Sequence, residues 1–146
     1  GDGESIPLGP PEALEAWRIR WGLPAMGREL DESTIPAAAG IVEDSVSFTK
    51  GCYVGQELVA RIDSRGASTP TRLRGLRLAG PLELAGGEAV EADGAEVGRI
   101  TSYAPVTGEG ALALAYCRRA LEVPGPVEVV DATGQRVAAV AVELPF

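Results

Sequence analysis

Residues Lys50-Gly51-Cys52-Tyr53-Val54-Gly55-Gln56-Glu57 set a thiol between two glycines, beside a cation, an aromatic ring, an amide and a carboxylate. Packing alone does not require so many different functional groups in one short loop. The flanking glycines lack Cβ atoms, so the backbone there can take positive φ or let a ligand approach closely. A cysteine acts as nucleophile or metal ligand only as the thiolate, and nearby cations lower its pKa from about 8.5. Lys50 stands two residues before Cys52 and Arg61 nine residues after it. A thiolate in that setting could accept a transferred group or take up a soft metal or an iron–sulfur fragment. One thiol cannot hold a cluster alone, so a cluster bound there would be transient or shared with a partner. Glu57 suits a base or, with somewhat more weight, an anchor for Lys50 or Arg61. The plainer reading of the octet is a tight turn in which Cys52 is a small buried apolar residue.

Composition removes several other chemistries. The 146 residues suffice for one ordinary domain, or a small domain plus part of another. Two cysteines, Cys52 and Cys117, with no histidine and no CxxC fall short of a four-ligand zinc site within the chain. The same absence removes Ser-His and Cys-His nucleophile pairs. A Cys52–Cys117 disulfide stays open, although nothing points to an oxidising compartment. Cys117, at the end of an apolar run, reads as inert core. No apolar stretch is long enough to span a membrane and no signal-peptide pattern opens the chain, so a cytoplasmic protein is expected.

The net charge of −8 argues against direct nucleic-acid binding through the overall field. Its distribution is uneven. Residues 1–49 hold nine acids against three bases and residues 78–146 ten against four, whereas residues 50–77 hold six bases against two acids. The cationic segment begins at the octet and could attract a carboxylate or a phosphate. For Arg72, Arg74 and Arg77 the expected role is plainer: a solvated strand face whose stems cover apolar surface.

The elements that must hold the octet follow from pattern. Residues 1–10 form a Gly/Pro-rich lead-in. A helix is predicted from Pro11 to about Trp21, with Pro11 and Glu12 suited to its first turn and Gly22 to its end. Leu14, Trp17 and Trp21 share one face, as core or docking surface. Residues 22–45 read as an irregular connection, with one short helical turn at Ala37–Ala39. Val46–Phe48 reads as a short strand leading into the octet, and Gln56–Ile62 as a short helix leaving it. From Thr71 the period becomes two. Arg72-Leu73-Arg74 and Leu76-Arg77-Leu78 alternate out of phase, which predicts a β-bulge at Gly75. Strands are expected at 88–92 and 96–103 around an Asp93-Gly94 hairpin turn. Others are expected at 111–116, and at 126–130 and 137–143 around Thr133-Gly134. The fold class is α+β: a helix-containing, irregular N-terminal segment over 1–69, then a small six-stranded antiparallel β-barrel over 70–146.

The octet resembles the signature of the YgfZ-like folate-binding proteins, relatives of the glycine-cleavage T-protein, an aminomethyltransferase. The similarity continues through Trp17-Arg18-Ile19, Gly22-Leu23-Pro24, Glu29-Leu30-Asp31, Ile35-Pro36 to Gly40, Leu58-Val59-Ala60-Arg61 and Val97-Gly98-Arg99-Ile100-Thr101-Ser102. Members of that family are about twice this long, so the chain resembles their C-terminal half. Arg20 and Trp21 stand where the family has Glu-Ala, and Cys52 with Gln56-Glu57 resembles the YgfZ branch.

The resemblance implies an accessory protein that binds tetrahydrofolate and supports iron–sulfur cluster assembly or maintenance, and through it tRNA modification. It implies Cys52 as the functional thiol, with Lys50 and Glu57 beside it. Tyr53, Gln56 and Arg61 would shape its surroundings, and Arg18 would contact an anionic folate group. The implied partners are the missing N-terminal part of the same protein and iron–sulfur proteins or their assembly factors. Folate binding by these residues alone would be weak or absent, because the missing part supplies pocket walls. Two alternatives stand beside this reading: an aminomethyltransferase using tetrahydrofolate, and a non-catalytic β-barrel interaction module.

Overall fold

In the computed structural model, residues 9–31, 69–80, 82–106, 108 and 110–146 are described. The expected turn at 37–39, the strand at 46–48, the octet and the helix at 56–62 lie outside them.

Helix α1 spans Pro11–Arg20, with proline in its first turn, Glu12 near its N-terminus and Arg18 and Arg20 near its end. Those charges oppose the helix dipole and so favour a helix at this position. The strands are β1 Thr71–Leu78, β2 Ala89–Ala92, β3 Ala95–Val106, β4 Gly110–Arg118, β5 Gly125–Val130 and β6 Arg136–Val142. They form a closed barrel in the order β1-β4-β3-β2-β5-β6, with every pairing antiparallel. Closure gives each of these strands a neighbour on both sides. The β2–β3 turn is the expected one: Asp93 and Gly94 both have positive φ, 53° and 78°, as a type I′ hairpin turn demands.

The barrel wall is buried on both sides where β1 and β4 meet. Leu76, Leu78, Val90, Ile100, Ala113, Ala115, Val127, Val129 and Ala141 fill the interior. On the outer side, Leu73, Leu112, Leu114 and Ala104 form a second core with Ile19 of α1, flanked by Leu144 and Phe146 of the C-terminal tail. The Phe146 amide donates to the Arg20 carbonyl, 3.2 Å away, so the tail ties α1 to the barrel wall.

This two-sided burial corrects the expected bulge at Gly75. The β1–β4 register runs unbroken from Thr71↔Arg118 to Leu78↔Ala111. The leucines change phase because Leu73 serves the outer core and Leu76 and Leu78 the inner one. Gly75 instead makes room for the C-terminal tail, since a Cβ there would lie 2.7 Å from the Phe146 ring and 2.9 Å from Leu144. The solvated role expected for the β1 arginines holds for Arg77 and needs correcting for Arg72 and Arg74. Arg77 is exposed and lies over the Phe146 ring, 5.3 Å from its centroid. By alternation Arg72 and Arg74 face inward with Leu76 and Leu78, and Arg74 is only 5% exposed. Trp17 and Trp21 are 53% and 55% exposed, so α1 uses Ile19 rather than its tryptophans to dock.

Gly75→Ala should therefore destabilise the chain by about 1–3 kcal/mol through overpacking. The cost should shrink in a Phe146→Ala background. Urea unfolding of the four proteins of that cycle measures both effects.

Candidate functional site

The described residues bring polar side chains together at one place, where α1, the turn after it and β3 meet. The turn is short and tightly wound. The Glu29 and Leu30 amides both donate to the Ala25 carbonyl at 3.1 Å, and Gly27, at φ 80°, donates to the Leu30 carbonyl. The turn drives the Glu29 carboxylate into the interface with the barrel, where its side chain is fully buried. A buried carboxylate must be paired and hydrogen-bonded.

Strand β3 supplies part of that pairing through an irregularity. Ile100 pairs with Ala115 and Ser102 with Leu114, so Thr101 is an extra residue without its own partner on β4. In a regular strand Thr101 and Ser102 would point to opposite faces. The bulge re-aims them to the same side. The Thr101 hydroxyl lies 2.7 Å from Glu29 Oε1, and the Ser102 hydroxyl donates to the same oxygen. The other carboxylate oxygen, Oε2, accepts from the Ala25 amide and from Arg18 Nη1, each at 3.0 Å.

Arg18 completes the cluster and is itself saturated. A guanidinium has five N–H donors. Nε donates to Glu15 Oε2 at 3.1 Å, and Nη2 to Glu15 Oε1 at 2.6 Å and to the Ser102 oxygen at 2.7 Å. Nη1 serves the Leu23 carbonyl at 2.6 Å as well as Glu29. Despite burial, these carboxylates hold the guanidinium pKa above its ordinary value. The Arg18 hydrogen bond holds the Glu15 carboxyl below the usual range, against a smaller opposing effect of burial. Arg28, about half exposed, donates to Glu15 at 2.8 Å.

Beside this cluster opens a cleft of about 530 Å³, walled by Glu15, Arg28, Thr101, Ser102, Tyr103 and the Gly86-Gly87 loop. Behind it, the Tyr116 phenol donates to the Glu29 backbone carbonyl at 2.7 Å. Burial, and then the charges of Glu29 and Asp31, push the Tyr116 pKa up to about 12. Cys117 is a free, fully buried thiol, pushed up to about 11 by burial with Arg74 opposing. That matches the inert role expected of it.

Of the residues expected at a site, Arg18 lies within this cluster. Lys50, Cys52, Tyr53, Gln56, Glu57 and Arg61 lie outside the described residues. The sequence pattern assigns no role to Glu29, Thr101, Ser102 or Tyr116. The adjacent hydroxyls of Thr101 and Ser102, inside a period-two strand, are its one signal for the bulge.

The sequence pattern of the glycine cleavage T-protein C-terminal barrel domain matches residues 71–146, which are the six-stranded barrel. This chain belongs to that family. A solved T-protein, glycine cleavage system aminomethyltransferase T from Bartonella henselae, has the same fold. Its TM-score is 0.77 at 21% identity, over 92% of this chain and 38% of that one. A chloroplastic protein of Arabidopsis thaliana, provisionally named a transferase, is 35% identical over 97% of this chain and 31% of its own length. A mitochondrial iron–sulfur cluster assembly factor of Mus musculus is 32% identical over 92% of this chain and 38% of its own. The tRNA-modifying protein YgfZ of Sodalis glossinidius is 45% identical over 34% of this chain and 16% of its own. The chain thus spans about a third of the length of the relatives it matches along most of its residues.

In this T-protein barrel the Arg18–Glu29 pair is a lock between helix and barrel, and removing one partner strands the other. Glu29→Ala and Arg18→Met should each cost about 3–5 kcal/mol. The double variant should cost clearly less than their sum in a denaturant-monitored cycle. A second expectation concerns alkali. Tyr116 has a folded pKa above its unfolded one, so its contribution to stability is complete below pH 10 and lost as pH rises toward about 12. Tyr116→Phe should flatten the fall in stability across that window, leaving the part due to Cys117. Melting temperature against pH, with tyrosinate absorbance followed in parallel, measures this.

Proposed function

We propose that this chain is the C-terminal portion of a folate-binding, YgfZ-like accessory protein that supports iron–sulfur cluster assembly or maintenance, and through it tRNA modification. The observation that carries the reading is the thiol-bearing octet Lys50–Glu57, in a T-protein-family chain that aligns over 92% of its length with an iron–sulfur cluster assembly factor. The partial match to a tRNA-modifying protein supports the same branch. In this reading Cys52 is the working thiolate, Lys50 lowers its pKa, and Glu57 anchors the cation or moves a proton. Tyr53, Gln56 and Arg61 line its surroundings. The chain divides functionally into 1–69, which carries the octet, and 70–146, the barrel. The setting in this reading is reducing and cytoplasmic. Among the described residues no helix is long and apolar enough to cross a membrane.

For a reduced folate, the described residues offer a partial fit. The cleft has the volume of a small-molecule site, with the half-exposed Arg28 at its rim. Arg18 has no donor to spare. Its contact with a folate carboxylate therefore proceeds by exchange with Glu15, the more exposed of its two carboxylates. The remaining walls come from the rest of the parent protein, so folate binds these 146 residues weakly or not at all. Bound folate would supply a one-carbon carrier; this chain's part is to hold its anionic end and present Cys52.

The aminomethyltransferase reading is supported by relatives of that name, one of them, from Streptomyces coelicolor, 35% identical over the whole of this chain and 41% of its own length. The two readings separate in the full-length parent. Cys52→Ala should leave the protein folded and able to bind reduced folate, while activity of iron–sulfur enzymes in a strain lacking the wild-type protein is no longer restored. Full restoration by Cys52→Ala would remove the thiol account. Turnover of a methylamine-loaded carrier protein would establish the transferase instead.

A further inference from the structure

One end of the barrel holds a concentration of buried hydrogen-bond donors that the site above does not use. It is the end where β1 begins and β4 finishes. Arg72 and Arg74 sit there two residues apart on the inward face of β1, so their Cα atoms are about 7 Å apart. Opposite them on β4 stand Cys117 and Ala115, and opposite Cys117 on β3 stands Gly98. The Cys117 thiol packs over Gly98, where a Cβ would lie 2.8 Å from its Sγ, so these small residues let β3 and β4 approach closely beside the two arginines.

The acceptors present do not match these donors. Glu143, just past the end of β6, forms an ion pair with Arg74 Nη1. Among the described residues, the buried Nε atoms of Arg72 and Arg74 have no acceptor. Neither does the hydroxyl of Thr69, which is 3% exposed and stands two residues before β1. The Arg74 side chain is itself 6% exposed. Among the described residues Arg74 is thus paired with one carboxylate that is itself largely in solvent, and Arg72 Nε has no acceptor. Leaving a buried charged donor unsatisfied is among the more costly arrangements a protein can hold. The charge sign, the planar donors and the added hydroxyl all suit one acceptor type, an oxyanion with several lone pairs.

We propose that this end of the barrel is a binding site for a small oxyanion, a phosphate or carboxylate group, held by Arg72, Arg74 and Thr69 beside Glu143. It is built from residues other than those of the Arg18–Glu29 cluster and stands whether or not the folate reading does. It also gives part of the cationic segment of the sequence a use that solvated surface arginines would not have.

Arginine Nε–H resonances of the isotopically labelled chain report on the site directly. Inorganic phosphate and acetate are titrated separately against chloride at constant ionic strength, with heats measured in parallel. The expected result is a saturable shift of two arginine Nε–H signals. Phosphate acting more strongly would mark a tetrahedral ligand, and acetate acting more strongly a carboxylate. Arg72→Gln and Thr69→Val, which keep the Arg74–Glu143 pair, should each weaken binding about tenfold, the equivalent of one charge-assisted hydrogen bond. Should Arg74→Met prove unstable, these two variants still decide the matter. The proposal is overturned if neither anion gives a saturable shift, or if both variants bind as the wild type does.

Discussion

A carboxylate that water does not reach must be satisfied from within the protein, and Glu29 is in that position. Its two oxygens draw in Arg18 from α1, the Ala25 amide from the turn, and the Thr101 and Ser102 hydroxyls from β3. Those groups come from three separate stretches of chain. The requirement to bring them together accounts for the positive-φ turn at Gly27 and the bulge in β3. It also accounts for the orientation of α1 across the barrel wall. The Tyr116 phenol then fixes the turn from behind through the Glu29 carbonyl. The helix is held to the barrel by a polar lock set among apolar contacts, with Ile19 as its buried apolar anchor. Such a lock gives a defined position more than it gives net stability, because desolvation of both ions offsets much of their attraction.

That lock also adjoins the stretch of sequence that contains the octet. Asp31 and Thr69 are the described residues on either side of the stretch that contains the octet, and each adjoins an element tied to the barrel. Asp31 follows directly on the Met26–Leu30 turn, and Thr69 stands two residues before the strand paired with β4 and β6. The described residues at both ends of that stretch are therefore held against the barrel.

The sequence pattern was most legible where a single physical rule acts. Asp-Gly between alternating runs marked the β2–β3 hairpin because few residues tolerate two consecutive positive φ angles. Six strands could be counted because period two survives wherever one face is wet. The pattern failed at β1, which is buried on both faces: Leu73 belongs to one core and Leu76 to another, and this mimics a change of register. It failed again for Arg74, since an arginine in an alternating strand is usually outside, and only barrel closure turns that face inward. Glu29 stood in a segment that resembles the family, but nothing in the sequence showed that its carboxylate would be buried.

The chain by itself therefore determined the element types of its described residues, its barrel class and its family resemblance, because these rest on local periodicity, turn geometry and a specific octet. Tertiary structure alone decided which charges are buried and which partners they have. Arg18, an expected ligand contact, became fully engaged within the protein, while Arg72 and Arg74, expected on a wet surface, came to line a barrel end. Burial is a property of what lies on the far side of a residue, and no local pattern contains that information.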